Sequence, residues 1–81
     1  MTIRVLLFAT LADQVGRQQL TLTLSDKAKV SDAVDRLTAE YRAVAQMREQ
    51  LAMAVNMEYV TANRVLSEGD ELALIPPVSG G

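Results

Sequence analysis

The sequence closes on Pro76-Pro77-Val78-Ser79-Gly80-Gly81, the segment whose residue types point most directly to chemistry. Gly81 has no side-chain group, so the function it offers is a terminal carboxylate. Gly80 and Gly81 lack a Cβ, which lets such a tail thread a narrow channel. Pro76 and Pro77 favour an extended polyproline conformation and aim the tail away from the body. The plain alternative is a frayed terminus.

The other candidates for chemistry are weaker. The chain has 0 Cys and 0 His. That excludes a disulfide framework, a zinc-thiolate site, a thiol nucleophile, a triad base and an imidazole ligand. A chain of 81 residues lacking both is poorly suited to hold an enzyme pocket of its own, and reads as a carrier or partner. Asp32 and Asp35 read as a solvated helix face. Glu68, Asp70 and Glu71 read as a charged turn ahead of a cation site, and Arg4 as a surface residue or as half of an ion pair with a partner.

Composition narrows the class further. Eight Lys plus Arg against ten Asp plus Glu give a net charge of −2. With only Phe8, Tyr41 and Tyr59 as aromatics, this argues against a nucleic-acid binder. The near-continuous apolar stretch from Val5 to Ala12 is too short to span a bilayer. Arg4 followed by Val5-Leu6-Leu7-Phe8-Ala9 mimics a short export signal, but a first strand explains it better. The expectation is a cytoplasmic protein without membrane contact.

Hydrophobic periodicity supplies the elements that would carry the tail. Residues 2–8 alternate as a strand, with Ile3, Val5 and Leu7 on one face and Leu6 and Phe8 on the other. Residues 18–24 alternate more cleanly, with Leu20, Leu22 and Leu24 inward. Between them, Leu11, Ala12 and Val15 have helical spacing, and Gly16 suits a left-handed C-cap. Val30, Ala33, Val34, Leu37, Tyr41, Val44 and Ala45 then follow a 3.6-residue period, predicting a main helix over about 30–43. Its N-cap is ambiguous between Lys29, a poor cap, and Ser31. A second short helix follows over 43–50, with Met47 and Leu51 as core filler.

The remaining residues return to strands, at 52–56 and 71–76, with a short edge strand at Tyr59 and Val60. Asn56 turns the chain, and the Leu66–Glu71 turn uses Gly69 at positive φ. The predicted core is Ile3, Val5, Leu7, Leu20, Leu22, Leu24, Val34, Leu37, Leu72 and Leu74. The order ββαββ predicts an α+β fold of one domain over 1–81. Its mixed sheet carries the main helix on one face, with the first and last strands parallel at the centre. This is the β-grasp, ubiquitin-like arrangement, with a flexible tail over 78–81. On the helix-free face Leu6, Phe8, Ala73 and Ile75 would form an apolar patch beside the tail, extended by Tyr59, and such patches mark partner sites.

Three segments carry a family resemblance: Val5-Leu6-Leu7-Phe8-Ala9, Ala54-Val55-Asn56, and Leu66 to Glu71 running into Pro76-Pro77-Val78-Ser79-Gly80-Gly81. Over its whole length the chain resembles the small, sulfur-carrying subunit of molybdopterin synthase. The related thiamine sulfur carriers also end in Gly-Gly but are usually shorter and lack the paired prolines. Lys29 departs from the Thr or Ser cap frequent in the family.

The resemblance implies that a ubiquitin-activating-like enzyme uses ATP and Mg to adenylate the Gly81 carboxylate. A sulfur donor then converts the adenylate to a thiocarboxylate. It further implies that the tail docks into the large catalytic subunit of a heterotetrameric synthase and gives its sulfur to cyclic pyranopterin monophosphate. Gly81 is then the reacting residue and Gly80 its steric companion. Leu6, Phe8, Tyr59, Ala73, Ile75, Pro76, Pro77, Val78 and Ser79 make the partner surface, and the carrier holds no metal or cofactor of its own. A protein modifier conjugated through Gly81, a carrier for another sulfur pathway, and a β-grasp interaction module with an inert tail are the alternatives.

Overall fold

The computed structural model describes residues 1–77. Five strands form a single sheet: β1 (Thr2–Leu7), β2 (Gln19–Thr23), β3 (Ala52–Val55), β4 (Glu58–Val60) and β5 (Glu71–Ile75). Their spatial order is β2-β1-β5-β3-β4. β1 and β5 are parallel neighbours, and the other three pairings are antiparallel. A parallel pair needs a long crossover, and everything between β1 and β5 supplies it. The mixed β-grasp sheet expected from the element order is therefore present.

Alternation decides which side of the sheet closes. Ile3, Val5 and Leu7 of β1, Leu20 and Leu22 of β2, and Leu72 and Leu74 of β5 are all buried. They join the helical residues Val30, Ala33, Val34, Leu37 and Val44 in one core. Leu51, expected as core filler, joins it, and Leu11, Val55 and Leu66, absent from the predicted core, complete it. Leu24 was expected there and is only partly buried. β2 ends at Thr23, and the Leu24 backbone instead exchanges hydrogen bonds with Met1 at 2.8 and 2.7 Å.

Three helices connect the strands. α1 (Ala9–Val15) ends on Gly16, whose φ of +84° is the left-handed cap expected there. α2 (Val30–Glu40) starts at Lys29. Lysine has no acceptor to offer as a cap, and the start is satisfied in other ways. Asp32 accepts from the Lys29 N–H at 2.8 Å, and the first free amides, of Val30 and Ser31, donate to the carbonyls of Arg64 and Ala62, each at 2.9 Å.

The helix is shorter than its stripe predicts. Tyr41 leaves it at φ −131°, ψ 116°, and α3 (Arg42–Met47) restarts from the same residue. The restart shifts the phase, so Val44 stays buried while Ala45, expected on the inner face, is exposed. A 3-10 turn over Arg48–Gln50 then leads into β3.

At one end of the sheet a polar clasp joins three elements. Asp70 accepts from the Ser67 N–H at 2.8 Å and from the Asn56 side-chain amide at 3.0 Å. The Asn56 amide oxygen accepts from the Glu71 N–H at 3.1 Å, and Glu68 accepts from the Thr2 N–H at 3.0 Å. The acidic turn is thus a brace between β1, β5 and the β3–β4 hairpin.

Candidate functional site

The pleat sends every second residue to the face without helices. Strand registers align these into rows. Leu6 lies beside Gln19 and Ala73, Ala73 beside Ala54, and Ala54 beside Tyr59, so one row crosses all five strands. One step toward the clasp, Arg4 lies between Thr21 and Glu71. One step the other way, Ile75 lies beside Ala52, and continuing the β1–β5 register by one residue sets Phe8 opposite Ile75. The face therefore grades from polar at the clasp to apolar where β5 ends.

The apolar part is a trough of about 340 Å³. Ala54 and Ala73 form its floor, with Leu6 and Phe8 on one wall and Tyr59 and Met57 on the other. The floor is low because alanine has no reach beyond Cβ, and Ala54 is itself buried. The walls stand in solvent: Phe8 is 43% exposed, Tyr59 77% and Met57 91%. Large apolar side chains left in water beside one another form the kind of patch that marks an interaction site or a ligand groove.

The sequence-derived residues Leu6, Phe8, Tyr59, Ala73 and Ile75 are thus brought together on the expected face. Met57 and Ala54 were missed. Their signal was present in the Asn56 turn: a two-residue hairpin at Asn56-Met57 pairs Val55 with Glu58 and puts Met57, Tyr59 and Ala54 on one side.

Two expectations need correction. Arg4 was read as a surface residue or as half of an ion pair with a partner; it is at the surface, but its guanidinium lies 2.9 Å from the Glu71 carboxylate of its own chain, across the central strand pair. Pro76 was placed on the partner surface; it is buried, and Pro77 is exposed. Residue parity explains this. Pro76 follows Leu72 and Leu74 toward the core side, and its ring stops the ladder where Ile75 pairs with Ala52. Val78, Ser79, Gly80 and Gly81 lie outside the described residues.

Several of the described carboxylates are engaged structurally. Asp32 supports the start of α2, Asp35 pairs with Arg48, and Arg36 pairs with Glu40 at 3.2 Å. Among the described residues no group of three or more His, Cys, Asp or Glu is placed to hold a metal ion. No described helix is long and apolar enough to cross a membrane.

Comparison with known proteins gives consistent matches. The ThiS family matches residues 5–81. A molybdopterin synthase sulfur carrier subunit of Arabidopsis thaliana is 35% identical over 79 residues, 98% of this chain and 82% of the relative. A small archaeal modifier protein 1 of Haloferax volcanii is 32% identical over 83 residues, 93% of this chain and 95% of the relative. The crystal structure of SAMP1 from Haloferax volcanii superposes with a TM-score of 0.90 at 30% identity, covering 100% of both chains.

Proposed function

The chain belongs to the ThiS family, and from that premise we propose that it is the sulfur carrier subunit of a molybdopterin synthase. The placement of the end of β5 carries this reading. The central strand delivers the chain to Pro76 and Pro77 at the apolar end of the open face, four residues before Gly81. A partner seated on Phe8, Ile75 and the trough stands beside whatever leaves that strand.

The chemistry follows from what a glycine carboxylate lacks. A carboxylate is a poor electrophile, so an adenylating enzyme first joins the Gly81 carboxylate to the α-phosphate of ATP, with Mg, and pyrophosphate departs. A sulfur nucleophile attacks the acyl carbon, AMP leaves, and a thiocarboxylate results. In the large catalytic subunit, cyclic pyranopterin monophosphate receives that sulfur and the Gly81 carboxylate is restored after hydrolysis. The carrier contributes the reacting terminus and the docking surface, and the partners contribute the catalytic groups. Two carriers and two large subunits make the heterotetramer.

Intact-mass spectrometry tests this directly. After incubation with the adenylating enzyme, ATP, Mg and a sulfur donor, one oxygen is exchanged for one sulfur, and fragmentation places it on Gly81. Deleting Gly81 abolishes the exchange and leaves thermal unfolding unchanged. An unmoved mass, under conditions that charge a known carrier, overturns the reading. The likeness to the Haloferax volcanii modifier protein favours a second reading, conjugation of Gly81 to lysines. Protein-linked product with no sulfur on the pterin decides for it.

A further inference from the structure

β2 forms one edge of the sheet, and bond alternation fixes which of its groups face outward. Met1 and Leu24 bond in both directions, at 2.8 and 2.7 Å, and the Leu7 N–H donates to the Gln18 carbonyl at 2.9 Å. In an antiparallel pair such bonded positions recur at every second residue. With Ile3 beside Leu22 and Val5 beside Leu20, the backbones of Leu20 and Leu22 turn to β1. Those of Gln19, Thr21 and Thr23 turn away from the sheet. β4, at the other edge, is shorter, with three residues, and turns only the Tyr59 backbone outward. β2 is thus the longer open edge, and such edges are templates for another strand. Among the described residues one side chain donates to it. Arg36 of α2 donates through Nη1 to the outward Thr23 carbonyl at 3.2 Å, and through Nε to Glu40 at 3.2 Å. An exposed ion pair along a helix contributes little on its own. The bond that needs a reason is the other one, which leaves the helix and ends on a strand edge.

We propose that Arg36 is an edge cap: it closes β2 to pairing with a second copy of this chain, and Glu40 positions its guanidinium. The excluded occupant follows from the register. Two β2 strands related by a twofold axis at Thr21 are antiparallel and self-complementary. Thr21 then lies beside its own copy, and Gln19 of one chain lies beside Thr23 of the other. Facing threonines form a favourable cross-strand pair, and the outward row of Gln19, Thr21 and Thr23 joins its copy without burying a charge. This register uses every outward backbone group, and it needs each Thr23 carbonyl to accept from Gln19 of the other chain. Arg36 already holds that carbonyl, and its guanidinium fills the strip that the incoming strand would enter. Registers that spare Thr23 pair fewer residues. Arg36 acts in this way whether or not Gly81 carries sulfur.

Sedimentation velocity on the full chain tests this. The wild-type chain stays monomeric up to roughly millimolar concentration, the range in which unpaired strand edges associate. Arg36→Ala, at a half-exposed position, keeps the fold and shifts toward a species of twice the mass as concentration rises. Arg36→Met keeps the aliphatic stem without a donor and shifts in the same way. Adding Thr21→Pro to Arg36→Ala returns the chain to a monomer: the Thr21 N–H points outward, so proline blocks the edge and spares the β1 ladder. Adding Phe8→Asp instead leaves the dimer in place. Amide exchange locates the contact, since Gln19, Thr21 and Thr23 exchange rapidly in the monomer and gain protection in the Arg36→Ala dimer. The proposal falls if both Arg36 variants remain monomeric, or if the wild type already pairs through β2. It falls equally if association persists with Thr21→Pro, disappears with Phe8→Asp, or leaves those three amides unprotected.

Discussion

The two faces of β1 differ by one residue in register and by everything in environment. Ile3, Val5 and Leu7 are buried against the helices, while Leu6 is half-buried and Phe8 stands in solvent. Both sets are apolar, so hydrophobicity alone does not distinguish them. What distinguishes them is cover: α2 and α3 lie over one face, and no described element lies over the other. An apolar side chain with cover stabilises the monomer, whereas one without cover contributes little to it.

Removing a covered residue has the largest effect on folding. Leu72→Ala empties a fully buried position in the core and is expected to cost about 2–5 kcal/mol of stability. Chemical denaturation reads this as a lower midpoint at nearly unchanged slope. Residual affinity for the large subunit, measured on the folded fraction, stays near wild type, because Leu72 faces away from the trough.

The matching change on the open face reverses the pattern. Phe8→Asp weakens partner binding by about 2 kcal/mol, close to thirtyfold, as loss of an aromatic anchor does. The monomer keeps its thermal midpoint or gains slightly, since Asp is a preferred N-cap and position 8 caps α1. A variant that unfolds would show that Phe8 belongs with the covered set.

Smaller effects separate the polar end of the open face from its apolar end. Asp70→Ala removes acceptors from the Ser67 N–H and the Asn56 amide. It is expected to destabilise by about 1 kcal/mol and to leave binding unchanged, with hydrogen exchange rising first in the β3–β4 hairpin. The Arg4–Glu71 pair comes last. Its guanidinium side is half exposed, so a double-mutant cycle should return no more than about 0.2–1 kcal/mol, shrinking as salt is added.

The covered face was legible in the sequence because alternation is a local property. The period of two in β1 and β2 and the 3.6-residue stripe of α2 each placed their residues without knowledge of the fold. Tyr41 shows the limit of that reading. Its apolar phase continues the stripe, yet the chain leaves the helix there, and residue spacing does not reveal a break that tertiary packing imposes. The pairing of Arg4 with Glu71 was hidden for a related reason: the two residues meet only because the first and last strands are neighbours. Met57 needed the hairpin register before its side could be assigned. Pro76 was grouped with the tail because paired prolines favour an extended conformation, when its parity with Leu72 and Leu74 held the answer.

The position of β5 also bears on how the protein is made. In the order β2-β1-β5-β3-β4, the strand synthesised last is the one in the middle. Until residues 71–75 leave the ribosome, the sheet exists as two separate hairpins with nothing to join them, and Leu72 and Leu74 are missing from the core. Isolated hairpins are marginal in water, so the domain closes only once β5 has been added. A product of premature termination therefore stays unfolded and is exposed to proteolysis. Selection for folding is thereby also selection for chains that carry β5, the strand that leads to the proposed reacting terminus.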